Sequence, residues 1–98
     1  MKTLAIMFTK PDRGTQPGGL ILRERSDGFL VTHRFNRVPH TRSPVDYFWG
    51  HYFNPDNPGY RERAQADFDE RASRLREWEI SEAELIAKGD VSLQPEFD

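Results

Sequence analysis

PVDYFWGHYFNPDNPG, residues 44–59, places five aromatic side chains between positions 47 and 53 and closes with two Asn-Pro steps. These are five of the twelve aromatic residues in the chain, so the element they form decides how the domain is built. Val45, Phe48, Trp49, Tyr52 and Phe53 fall at i, i+3, i+4, i+7 and i+8, the spacing of one apolar stripe on a helix. Ser43 stands where an N-cap is wanted, and Pro44 stands at the first helical position, where its missing N–H costs nothing. The stretch is therefore expected to be a core-facing helix ended by Asn54–Gly59, with Phe48, Trp49, Tyr52 and Phe53 inside. Tyr47 and His51 fall off the stripe, one turn apart, and become candidate contact residues on an outer face.

Downstream, Tyr60, Ala64, Phe68, Ala72, Leu75 and Trp78 repeat at helical spacing and predict a second helix to about Glu79. Arg63–Asp67, Asp67–Arg71 and Glu70–Arg74 stand four apart on it, each pair supporting the helix by about 0.2–0.5 kcal/mol. Ser81 with Glu84 reads as a capping box, and Ile80 with Leu85 as its staple, for a short third helix ended by Gly89. Residues 90–98 read as an edge strand or a loose tail, and Pro95 and the terminal position favour the tail.

Upstream, LAIMF (residues 4–8) is short enough for a buried strand. Residues 10–19 carry two prolines and three glycines and are expected to form a mobile loop. LILRERSDGFLVTHRFN (20–36) is two strand-like runs around Asp27-Gly28, a preferred two-residue hairpin turn. That turn pairs Leu22 with His33 and Leu20 with Phe35. It places Leu20, Leu22, Phe29, Val31 and Phe35 on one face, with Glu24 and His33 among them. Ile21, Arg23, Arg25, Leu30, Thr32 and Arg34 then share the other, and a slip of one residue would exchange the two faces. The expected fold is a single α+β domain over 1–98. A small antiparallel sheet, strand 4–8 with hairpin 20–36, packs against two main helices and a short C-terminal one. Leu4, Ile6, Phe8, Val45, Phe68, Leu75 and Trp78 complete the expected core. Trp49→Ala in such a core costs about 3–5 kcal/mol.

Ninety-eight residues suffice for one core without staples. The chain has no cysteine, which excludes disulfides and thiolate metal sites and fits a reducing compartment such as the cytoplasm. No apolar run reaches the roughly 18 to 20 residues needed to span a membrane. The net charge of −2 divides unevenly. Residues 1–42 hold eight Lys/Arg against three acids, net +5, and residues 43–98 hold six against thirteen, net −7. Such asymmetry bears on partners rather than on fold.

No catalytic constellation stands out. His33, His40 and His51 lack the i+3 or i+4 spacing of a helical metal pair, so no metal or cofactor is expected. The 10–19 loop lacks the phosphate-loop pattern, and the helical acids alternate with arginines as a solvated face does. Arg23, Arg25 and Arg34 on the hairpin's outer face, with Arg37 and Arg42 after them, could grip carboxylates or phosphates through their planar forks. The chain is thus expected to be a non-enzymatic protein-binding module. It has the size of the small inhibitors or accessory factors that phages and mobile elements encode, occluding a partner through these arginines, the 10–19 loop, Tyr47 and His51. The alternative is a nucleic-acid-binding accessory protein that uses the basic ribbon of Arg23, Arg25 and Arg34; a pI near 5.9 weighs against it.

Overall fold

The computed structural model describes residues 1–10, 18–37, 45–81 and 83–84. Strands β1 (Lys2–Thr9), β2 (Gly18–Glu24), β3 (Leu30–Arg37) and β4 (Val45–Phe53) precede one helix, α1 (Tyr60–Ser73). A 3₁₀ turn at Arg76–Trp78 then leads into a two-residue strand, β5 (Glu79–Ile80). The sheet is antiparallel, in the order β4-β3-β2-β1-β5. Among the described residues there is therefore a five-stranded sheet with a single α-helix, not a three-stranded sheet with two main helices and a third.

The expected helix over 45–53 is strand β4. Six of its nine residues are β-branched or aromatic, types that lose rotamer freedom in a helix and fit a pleated surface. Its helix-like spacing comes from a β-bulge. Thr32 pairs with His51 and Arg34 with Phe48, so two residues of β3 span three of β4. The extra residue turns a period of two into a local step of three and imitates a helical stripe.

The hairpin lies where Asp27-Gly28 predicts it, with a loop one residue longer. The Arg25 N–H bonds the Phe29 carbonyl at 2.8 Å and the Gly28 N–H bonds the Arg25 carbonyl at 3.0 Å, enclosing residues 26–28. Gly28 takes φ 92, the left-handed position that a three-residue hairpin loop reserves for glycine. The register consequently shifts by one: Leu22 faces Thr32, Ile21 faces His33 and Leu20 faces Arg34. This exchanges the faces of β3 relative to those of β2. Leu20, Leu22, Leu30, Thr32 and Arg34 share the side that α1 covers, while Ile21, Arg23, Val31, His33 and Phe35 share the other.

Both faces of the sheet's centre are buried. On the α1 side Met7, Leu20, Leu22 and Leu30 pack with Ala64, Phe68 and Ala72. On the other side Phe8, Ile21, Phe35, Val45 and Ile80 cluster, with Phe8 and Phe35 edge to face at 6.2 Å. Burying a side chain of this size contributes about 1.5–3 kcal/mol. Met7, Ile21 and Leu30 therefore join the core, whereas the expected core residues Leu4, Trp49, Tyr52 and Trp78 are exposed.

Helix α1 begins at Tyr60 as expected and stops at Ser73 rather than near Glu79. Ahead of it, the Asn54 side chain accepts from the Asp56 N–H at 2.9 Å, and its carbonyl accepts from the Asn57 N–H at 3.0 Å, turning the chain back over the sheet. After it, the Lys10 N–H bonds the Trp78 carbonyl and Ile80 pairs with Phe8, so Ile80 is a strand residue rather than a helix staple. The Ser81 hydroxyl accepts from the Glu84 N–H at 3.1 Å, one half of the expected capping box. The remainder of that third helix and the 90–98 tail lie outside the described residues, as does most of the expected 10–19 loop, whose Gly18 and Gly19 open β2.

Candidate functional site at the β4 bulge

At the bulge, Trp49 adopts φ 53, the one non-glycine residue among those described with a positive φ. That conformation costs an L-residue with a Cβ about 1–2 kcal/mol. Gly50 follows because nothing larger fits: a Cβ there would stand 2.5 Å from His33 Nε2. Close approach of the His33 ring to the β4 backbone thus locates the kink, and the kink turns the Trp49 indole outward, where it is 69% exposed.

The α1 side braces this geometry with a polar network. Arg71 donates through Nη2 to the Trp49 carbonyl at 2.8 Å and through Nη1 to Thr32 Oγ1 at 3.0 Å. The fully buried Thr32 hydroxyl donates in turn to Asp67 Oδ2 at 2.5 Å. His51 Nδ1 lies 3.0 Å from both Asp67 oxygens and donates to them in the tautomer protonated there. Asp67 and Arg71, four apart on α1, thereby fix β3 and β4 on either side of the bulge. Burial pushes the Arg71 guanidinium below its ordinary pKa, Asp67 partly restores it, and Arg74 lowers it further.

Next along this face, Arg34 donates from Nε to the Gly19 carbonyl at 3.1 Å. Its guanidinium stands 5.9 Å from the Phe48 ring centre, and Phe48 meets Trp49 edge to face at 5.0 Å. Arg34, Phe48 and Trp49 form a continuous row from a half-buried cation to an exposed indole.

The opposite face holds a different group. The Arg23 guanidinium lies 3.9 Å over the Tyr47 ring, and His33 packs between Tyr47 and Tyr52, with centroids at 5.6 and 5.8 Å. The Tyr52 hydroxyl reaches His33 Nε2 at a long 3.5 Å. His33 Nδ1 and Arg23 Nε, both buried, have no hydrogen-bond partner among the described residues. Burial first, then the charges of Arg23, Arg71 and His51, hold the His33 pKa below its ordinary value, so the imidazole is neutral at pH 7.

The sequence-predicted contact residues are thus dispersed. Arg23 is buried on the face away from α1, and Arg34 is half-buried on the α1 face, so the two do not form one ribbon. Arg25, near the hairpin tip, pairs with Asp27 at 2.5 Å. Arg37 ends β3 opposite Val45, and Arg42 lies outside the described residues. Tyr47 is half-buried beneath Arg23, while His51 is exposed on the other side, bound to Asp67. His33 is buried, and its Nδ1 has no hydrogen-bond partner among the described residues. Trp49, Phe48, Thr32, Asp67 and Arg71 were not singled out as contact residues. The usable signal was Gly50 inside an aromatic run, a mark of a bulge or close backbone approach.

An open depression of about 440 Å³ lies between the start of β1 and the hairpin tip. Two of its charged walls are engaged, Arg25 with Asp27 and Glu24 with Arg61. Among the described residues, no group of three or more His, Asp or Glu side chains is placed to hold a metal ion, and no helix is long and apolar enough to cross a membrane. No family model, no curated protein and no solved structure matches the chain.

Proposed function

We propose that the chain is a non-enzymatic protein-binding module that grips its partner with the aromatic surface displayed by the β4 bulge and acts by occluding that partner's surface. The observation that carries this reading is Trp49: a tryptophan in a left-handed backbone conformation, 69% exposed, with its carbonyl held by Arg71. Stability alone favours glycine at such a position. Backbone strain maintained by surrounding structure concentrates at binding sites, and tryptophan leads the residues that dominate interface energies. Tyr52, 58% exposed, and His51 flank it along the same strand. Among the described residues β4 lies at the sheet edge, but its kink breaks the regular ladder that an added strand would need, so contact falls to side chains.

Affinity capture with wild type and Trp49→Ala tests the proposal. Recovery of a discrete protein by wild type, lost in a variant with unchanged circular dichroism, is expected. Retention of nucleic acid with no protein partner would overturn it.

A further inference from the structure

Arg34 is held ready for an anion. Its Nε is engaged by the Gly19 carbonyl, which orients the guanidinium plane, while no carboxylate among the described residues pairs with its Nη groups. Burial and the neighbouring Arg71 charge both disfavour the Arg34 cation. Asp67, the acid of the network, is committed to Thr32 and His51. A guanidinium fork fixed at one edge offers its other edge to a carboxylate in bidentate geometry. Through Phe48 that fork is continuous with the exposed Trp49 indole.

Resting on the protein-binding reading above, we infer that Arg34 and Trp49 form a two-part docking site for an acidic peptide segment of the partner. An Asp or Glu carboxylate meets the Nη edge of Arg34, and an adjacent apolar side chain lies on the indole. A nucleic-acid strand fits less well. Arg25, Arg61, Arg74 and Arg76 are each tied to a carboxylate (Asp27, Glu24, Glu70 and Glu79), which removes four cations from any track a polyphosphate could follow.

Selection of random dodecapeptides from a display library against full-length wild type, Arg34→Gln, Arg34→Lys and Trp49→Ala tests this. Wild type should enrich sequences with Asp or Glu beside an apolar residue. The best of these, synthesised, should bind Arg34→Gln about ten- to a hundredfold more weakly, the range for removing one partner of a charged hydrogen bond. Arg34→Lys, which keeps the charge and loses the fork, should fall between, and Trp49→Ala should enrich nothing. Enrichment of apolar sequences without acids, lost in Trp49→Ala and unchanged in Arg34→Gln, would overturn the acidic-segment inference and leave the Trp49 reading standing. No peptide enrichment by wild type would overturn both, most directly if a random single-stranded DNA pool were retained instead.

Discussion

Replacing Trp49 separates a displayed side chain from a core one. About a third of the Trp49 residue surface is covered. A fully buried aromatic ring removes about 150–250 Å² from water, so a third of that, at about 25 cal/mol per Å², is worth about 1–2 kcal/mol. Trp49→Ala should therefore cost no more than about 2 kcal/mol, against the 3–5 kcal/mol of a core aromatic. Alanine keeps the penalty of φ 53, whereas glycine does not, even after its greater unfolded-state freedom. Trp49→Gly should consequently be more stable than Trp49→Ala by about 1 kcal/mol, the reverse of the order in a helix or regular strand. Urea unfolding reads this directly, and a difference of about 1 kcal/mol moves the Tm of a domain this size by about 4–8 °C. A loss of 3 kcal/mol or more in both variants, or alanine more stable than glycine, would refute a displayed, left-handed Trp49.

Three further outcomes follow from the same geometry. Gly50→Ala brings a Cβ to 2.5 Å from His33 Nε2 and should cost about 1–3 kcal/mol, a cost that shrinks in a His33→Ala background when a double-mutant cycle is measured by urea unfolding. Thr32→Val keeps the shape but removes the hydroxyl joining Asp67 to Arg71, and should lower stability by about 1–3 kcal/mol in the same assay, with faster amide exchange along β4. Because His33 has a folded pKa below its unfolded value of about 6.5, the unfolded state binds the proton more readily. The stability this gives is present above about pH 6.5 and is lost as the pH falls from there through the lower folded value. The stability difference between wild type and His33→Gln should accordingly move against wild type between about pH 7.5 and about pH 5.5, and a constant difference would contradict the buried neutral imidazole.

How far the fold was legible depends on which residues carried a local signal. Asp27-Gly28 located the hairpin, and the apolar run at 4–8 located β1, because turn chemistry and short apolar runs are local. The α1 stripe of Ala64, Phe68 and Ala72 was legible for the same reason. The hairpin's faces were not. Both a two- and a three-residue loop suit Asp27-Gly28, and a single residue decides whether Arg23 points outward or lies buried over Tyr47. β4 was misassigned because its bulge spaces aromatics as a helix does, and only its contact with His33 reveals why the kink falls at Gly50. The network joining Thr32, His51, Asp67 and Arg71 spans up to 39 positions along the chain, and no short-range pattern announces it.

Cross-strand proton contacts measured by NMR across β3 and β4 test the central claim most directly. The account predicts contacts of Val31 with Tyr52 and of Phe35 with Tyr47, a break in the ladder at Trp49-Gly50, and an indole of Trp49 fully bleached by a soluble paramagnetic probe. Helical contacts from Val45 to Phe48 and Trp49, with the Trp49 indole protected from the probe, would contradict it.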